Sequence, residues 1–513
     1  MRFVVIQRKG QVPSGPLPVA VLERDAWNDY GFRTMFDLRV VDTAGRRHDI
    51  GLVKIGRFGM TVRDDREFEI PETFDSLPDQ YFSLGQEDLY YARLADLDDD
   101  IREEILTGLQ DMAFDPDILE SALLEAVTQE SLLRFVKPAT IREQFVRIAQ
   151  GGPRVLNFRV TYRLPHPGGA KDDELRLTFH ARPGASPPNH IHVLTGRNGA
   201  GKSVLLNRLA RAAADPQADR AEVGRITEAG RSGRRSFTNL VCVSFSAFDD
   251  LPRIPGSEQF PTDDVGLRVR AATSSPKLKT PGQLQTNFAD SVEACLTGGH
   301  SERWTNALET LDYAESGLLE NGWLERFRAT TSFQKRRAEA RRLFRQASSG
   351  HKVALLTITR LVELVGERSL VIIDEPETHL HPPLLSALVR AVSDLLTERN
   401  ALAIVATHSP VVLQEVPADC VYKLRRFGDR MVANRPILET FGENVGVLTH
   451  EVFGLEVTHT GFHQAISKLV SDGLSYEAIL RAFEEKLGSE AQILTRSLVA
   501  TREFGEDPIE ESR

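Results

Sequence analysis

Nowhere in these 513 residues do eighteen apolar residues run together, so no membrane-spanning helix is expected. The opening "MRFVVIQRKG" has too short an apolar stretch for a signal peptide, and a soluble, cytoplasmic protein with no membrane partner is the expectation. Cysteine is scarce. Cys242, Cys295 and Cys420 are odd in number and far apart, so neither a disulfide framework nor a C-x-x-C metal motif is expected, and each reads as a small core residue. Fixed-period repeats, low-complexity tracts and sustained heptads are missing too, which sets aside solenoids and long coiled coils.

Positive charge is not in excess either, since the net charge is −10. It is unevenly placed: residues 1–150 hold 18 Lys and Arg against 28 Asp and Glu, leaving 45 of each for the rest. An acidic front suits a protein partner better than a phosphate backbone, whereas the neutral remainder can still carry basic patches. With 41% hydrophobic and 27% charged residues, the chain has core enough for two to three globular domains.

Residues 33–55 read as a hairpin, with Phe36, Leu38 and Val40 alternating before a "DTAGRR" turn. From Asp98 the period becomes helical through Ile101, Ile105, Leu109 and Met112, behind an acidic start suited to a helix N-terminus. "GGPR" then marks a boundary near 152. Beyond it, strand-like runs such as "HIHVLTG", "NLVCVSF", "SLVIID" and "ALAIVAT" alternate with helical segments, which is the pattern of an α/β core. Residues 250–345 read as a mostly helical insertion, and 431–513 as a helical C-terminal region.

"LVIIDEPETHLHP" (370–382) drives an apolar strand into Asp374 and Glu375. A metal-ligand box is one reading, because His379 and His381 stand as H-x-H beside Glu377. Pro376, Pro382 and Pro383 break a strand there, and a helix would turn positions two apart to different faces. A buried strand that happens to end in acids is a second reading. The third is a Walker B strand, which requires a phosphate loop upstream.

"GRNGAGKS" (196–203), between an apolar strand and "VLLNRLARAAA", is G-x-x-x-x-G-K-[ST] in strand–loop–helix context. Gly196, Gly199 and Gly201 let the backbone wrap phosphates, with Asn198, Ala200 and Val204 completing the loop and its exit. Lys202 would reach the β- and γ-phosphates of ATP, and Ser203 and Asp374 would hold Mg²⁺. Glu375 is then placed to polarise the attacking water, and His408, in "AIVATHSP", to reach the γ-phosphate. "ASSGHK" (347–352) opens an apolar-periodic helix; alone it reads as an N-cap, or as a phosphate contact through Ser349 and Gly350.

In order and spacing these segments resemble the ABC-type ATPase set, with a signature motif before the Walker B strand and a switch histidine after it. "DEPETHLHP", "ATHSP" and "ETFGENVGVLTHEVFGL" (439–455) are similar to the RecF-like and OLD-like (AAA_21-type) group of DNA-associated ATPases, and to the Septu-type systems of anti-phage defence within it. The resemblance covers about 153–455. It implies an ABC-type P-loop ATPase head over 153–430, carrying the insertion and preceded by an acidic α+β domain over 1–152. It also implies a homodimer or higher homo-oligomer closing on ATP, each copy offering Ser349 and Gly350 to the other's γ-phosphate. DNA and a nuclease on another chain are the implied partners. A RecF- or SMC-like repair clamp without nuclease is the alternative, and a transporter's ATP-binding subunit a third.

Three departures stand out. The signature reads SSGHK, with His351 in place of a glycine; the glutamine usual after the third core strand is missing from "VSFSAFDD", where Ser246, Asp249 and Asp250 stand; and no adenine-stacking aromatic is assigned, although Phe158 and Tyr162 lie on the expected early strand. Finally, "QKRRAEARRLFRQ" (334–346) gathers Lys335, Arg336, Arg337, Arg341, Arg342 and Arg345, either as a solvated helix face or as a phosphate-backbone contact.

Overall fold

The alternation of Phe36, Leu38 and Val40 becomes β3 (Met35–Val41), whose three large side chains are all buried, and the "DTAGRR" turn leads into β4 (Arg47–Arg57). The Asp42 carboxylate closes that turn by accepting from the Ala44 and Arg46 amides at 2.8 and 2.9 Å. The computed structural model describes every residue except 7–14, 26–27, 63–69, 169–172, 231–234, 246–253, 258, 270–276, 298–299, 314–315, 321, 331, 454–460 and 505–513. With β1 (Arg2–Ile6), β2 (Val19–Arg24), β5 (Thr73–Phe74) and β6 (Tyr81–Gly85), this hairpin forms a six-stranded sheet in the order β5-β1-β2-β3-β4-β6. One apolar cluster, reaching from Phe3 to Ala149, packs helices against it. The helix Asp99–Gly108 starts where expected, but Asp98 makes no capping bond; the acids serve the dipole, and Asp99 pairs with Arg102.

A second sheet holds seven strands in the order β12-β11-β15-β16-β9-β17-β18. They are β9 (Ile191–Gly196), β11 (Asn239–Ser244), β12 (Thr262–Gly266), β15 (Ser369–Asp374), β16 (Leu402–Ala406), β17 (Val421–Phe427) and β18 (Arg430–Asn434). Every pairing is parallel except β17 with β18. The inner strands are buried on both faces, which is why they read as continuous apolar runs. One face packs the helix Lys202–Ala214 together with a three-stranded antiparallel sheet of β7 (Phe158–Pro165), β8 (Glu174–Ala181) and β10 (Arg225–Glu228). The other packs the helices Pro281–Thr297, Ser301–Leu311, Ser349–Leu364 and Pro382–Arg399. Together these elements make an α/β head, a mostly parallel sheet with helices on one face and a helix with an antiparallel sheet on the other.

The insertion departs from the helical expectation at its start. β12 extends the main sheet, and the two-residue β13 (Arg268–Val269) and β14 (Lys277–Leu278) pair beside it before the helices begin. "TDDVG" has no apolar alternation of its own; its pairing with β11 makes it a strand. At the C-terminal side, the helices Gly461–Ser471, Tyr476–Ala482 and Ser489–Phe504 share a small core of Ile466, Val470, Ile479, Ala491 and Val499. No helix of the described residues is long and apolar enough to cross a membrane.

An ion network joins the N-terminal part to the head. Asp88, fully buried, opens the helix Asp88–Ala95 and accepts from Arg154 Nε at 2.7 Å, Arg303 Nη2 at 2.7 Å and Arg399 Nη1 at 2.8 Å. Arg303 also reaches Glu398 and Glu87 at 2.8 and 3.2 Å, and His300 Nδ1 meets Glu87 at 2.5 Å. Burial opposes ionisation of Asp88, but Arg303, Arg399 and Arg154 outweigh it and hold the carboxyl far below the usual range. A lowered folded pKa contributes stability above the unfolded value of 3.8 and loses it as pH falls further. Asp88→Ala removes the acceptor that three guanidinium groups share and should cost about 3–5 kcal/mol in urea unfolding near neutral pH. The gap from the unmodified chain should shrink once the pH drops below 3.8. A variant of unchanged stability would remove the network from the account.

Candidate phosphate-binding site

β9 is buried to its last residue, Gly196, where the chain leaves the sheet. That glycine is obligatory, because a Cβ would stand 2.5 Å from the Leu424 carbonyl oxygen on β17. Arg197, Asn198 and Gly199 are exposed, Ala200 is buried, and Gly201 turns left-handed at φ 89° to start the helix Lys202–Ala214. Val204 faces outward on its first turn. The loop therefore presents its backbone at a helix N-terminus, an arrangement that binds anions.

Lys202 is buried beneath the loop. Its Nζ donates to the Gly196 and Arg197 carbonyls at 3.2 and 3.4 Å and to His408 Nε2 at 2.5 Å. His408 accepts through Nε2, so its ring proton is on Nδ1. Burial lowers the pKa of the ammonium, and Glu375, Asp374 and Glu377 partly restore it.

Those acids follow from strand register. Asp374 ends β15 opposite Ser244 on β11 and Ala406 on β16. It shares a small cavity with Ser203, Asn207 and Ser244, which brings a hydroxyl and a carboxylate to one place. Glu375 takes a left-handed backbone, φ 48° and ψ 62°, unusual for a residue with a side chain and costing on the order of 1–2 kcal/mol. Its amide bonds the Ala406 carbonyl at 2.9 Å, and its carbonyl accepts from Thr378 Oγ1 at 2.8 Å. The turn carries the Glu375 carboxylate, 42% exposed, to 3.9 Å from His408 Nε2.

Glu377, which the sequence offers only as part of a metal-ligand box, holds a different place. Its two oxygens accept from Thr407 Oγ1 at 2.8 Å and from the His408 amide at 2.7 Å, so it positions the histidine. The only hint in the sequence was its place two residues after Glu375. His379 and His381 each have a structural partner: His379 Nε2 lies 3.3 Å from the Phe245 carbonyl, and His381 caps the helix Pro382–Arg399.

Lys202, Ser203, Asp374, Glu375 and His408 thus come together, whereas Ser349 lies elsewhere. Ser348 caps the helix Ser349–Leu364 by accepting from the His351 amide. Gly350 is buried where a Cβ would stand 2.9 Å from the His379 carbonyl, and exposed Ser349 lines a separate cavity of about 460 Å³ with His379. Phe158 and Tyr162 both lie in the core, Phe158 beneath the Arg368 guanidinium and Tyr162 bonded to the Val223 carbonyl, so neither is open to an adenine. Ser246, Asp249 and Asp250 lie outside the described residues. On the basic helix Phe333–Gln346, Arg337 pairs with Asp290, Arg342 with Glu339, and Arg336 with the Thr330 carbonyl. Lys335, Arg341 and Arg345 have no acidic partner among the described residues.

A family profile described as "AAA domain, putative AbiEii toxin, Type IV TA system" matches residues 263–414, the stretch holding the Ser349 helix and the Asp374 strand. An ATP-binding cassette of an ABC transporter in its ADP conformation is 15% identical, covering 60% of this chain and 98% of that one at a TM-score of 0.30. A nucleotide-free cassette from an ABC transporter is 14% identical, covering 57% and 95% at 0.28. Protein ea59 of Escherichia phage lambda is 39% identical over 529 residues, covering 98% of this chain and 99% of its own length. Matched from end to end with that relative and carrying a P-loop ATPase domain, the chain belongs to the family of protein ea59.

Proposed function

We propose that this chain binds and hydrolyses ATP, and that two copies close on the nucleotide during the cycle. The convergence of Lys202, His408 and Glu375 at the mouth of the loop carries the reading. Lys202 offsets phosphate charge, and Glu375 draws a proton from the attacking water. His408, held by Glu377 through its amide, keeps a ring nitrogen beside the transferred phosphate. The hydroxyl of Ser203 and the carboxylate of Asp374 are hard oxygen donors on one cavity and suit Mg²⁺, which when bound neutralises phosphate charge. Division into an N-terminal domain over 1–152, a head over 153–430 and a C-terminal region over 431–513 belongs to the same proposal.

Pairing of two copies is supported by the separation of Ser349 from the Lys202 site within one chain, since an exposed serine at a helix start suits a phosphate brought by a second copy. Mass in solution with ATP and Mg²⁺ tests it. Glu375→Gln keeps the size of the side chain without its basicity, and should bind ATP uncut and accumulate as an ATP-dependent assembly. Lys202→Ala should lose nucleotide binding, whereas Ser349→Arg should bind ATP and stay monomeric. A Glu375→Gln protein of the same mass with and without ATP would contradict pairing while leaving the phosphate loop intact.

The biological reading is a DNA-associated ATPase in anti-phage defence that gates a nuclease on another chain. What supports it is the resemblance of the motifs, the acidic N-terminal part suited to a protein partner, and the three unpaired cations of the basic helix. Purified with ATP from its own cells, the chain should bring a nuclease along and bind DNA. Lys335→Glu with Arg341→Glu and Arg345→Glu should weaken that binding and flatten its salt dependence by about one unit per lost phosphate contact. DNA held with no co-purifying nuclease would make the chain a clamp, and an unchanged salt slope would return the helix to a solvated face.

A further inference from the structure

Cys420, expected to be an ordinary core residue, stands in a different company in the fold. It directly precedes β17, and its neighbours are His180 near the end of β8 and His192 on β9. All three side chains are buried, and one donor atom from each lies within 4.8 Å of the other two. Asp419 adds a carboxylate. Cys420 Sγ is 3.9 Å from His180 Nε2 and 3.4 Å from Asp419 Oδ1, and His180 Nε2 is 3.5 Å from Asp419 Oδ2. With bonds of about 2.0–2.3 Å, the edges of a zinc tetrahedron are about 3.3–3.8 Å long. The Cys420–His180 separation matches such an edge to within a small side-chain adjustment, and a His192 nitrogen lies within 4.8 Å of both.

His192 supplies an independent observation. Its ring is fully buried, and Nε2 lies 2.8 Å from the His180 carbonyl oxygen. The His180 amide also points at Nε2, at 3.0 Å, so the His180 backbone occupies that nitrogen and Nδ1 is the one without a hydrogen-bond partner. A ring held through one nitrogen by the backbone, with the other nitrogen available, is how metal-ligating histidines are usually oriented. We propose that His180, His192 and Cys420 supply three ligands of a tetrahedral site for one Zn²⁺, with solvent in the fourth position and the Asp419 carboxylate beside it, stapling the three-stranded sheet to the strand that carries the phosphate loop. A thiolate with imidazoles suits zinc, whereas magnesium takes oxygen donors alone.

Two cations face the site and must be accommodated. Arg182 Nη2 lies 3.3 Å from His180 Nε2 and 3.2 Å from Asp419 Oδ2, but its side chain is 59% exposed and can turn to solvent as the metal enters. Arg435 is stacked on Tyr422 and bonded to the Val421 carbonyl, and stays outside the donor set. On binding, the Cys420 thiol loses its proton to solvent and its sulfur forms the Zn–S bond. Thiolate and carboxylate then balance the two charges of the ion.

The full chain, equilibrated with Zn²⁺ and freed of excess by gel filtration, should hold one zinc per chain by elemental analysis. Lys202→Ala should hold the same amount, while Cys420→Ser and His192→Asn should fall at least tenfold. Loading with Co²⁺ in place of zinc should give a thiolate-to-cobalt charge-transfer band that Cys420→Ser removes. Should either variant fail to fold, the cobalt spectrum of the unmodified chain decides. Substoichiometric zinc, zinc kept by Cys420→Ser, or a cobalt spectrum lacking the thiolate band would overturn the proposal.

Discussion

Parallel pairing of β15 through β16 to β9 places every charged group at the mouth of the phosphate loop. Asp374 stands opposite Ala406, and Ala406 opposite Leu194, two residues before Gly196. The ladder runs on past the strand ends, with the Glu375 amide bonded to the Ala406 carbonyl and the Thr407 amide to the Leu194 carbonyl. Glu375 and His408 therefore leave the sheet side by side, at the edge where open α/β sheets bind their ligands. A slip of one residue in either pairing would turn Asp374 to the opposite face and separate the acids from Lys202.

Charge at this edge is arranged for a phosphate that brings its own counter-ion. Three carboxylates surround one buried ammonium, and Glu377 is already committed to Thr407 and His408. Asp374 stands beside Ser203 and Glu375 beside His408, an unfavourable setting for a bare polyphosphate and a favourable one for a polyphosphate with a divalent cation. The left-handed backbone of Glu375 is a local strain retained at the residue whose carboxylate must point at the ligand.

The phosphate loop and the acidic strand end were legible in the sequence because each is local: eight residues and six, with the chemistry inside the motif. Contacts between distant residues were not. Asp88 meets Arg154, Arg303 and Arg399, and Cys420 meets His180 and His192, across separations no spacing rule spans. β12 was missed because its pattern is set by its neighbour. Phe158, Val160, Tyr162 and Leu164 share the buried face of β7 at a period of two, which already assigns all four to the core. Glu377 shows the limit from the other side, since the residue was visible and its partners were not.

Phosphate release from ATP by the purified chain with Mg²⁺, compared with Glu375→Gln under single-turnover conditions, tests the central claim most directly. The account predicts steady release from the unmodified chain and a loss of about 100-fold or more in the variant, of the size that general-base catalysis contributes, with ATP still bound. Equal release from both proteins, or none from the unmodified chain while it binds ATP, would contradict it.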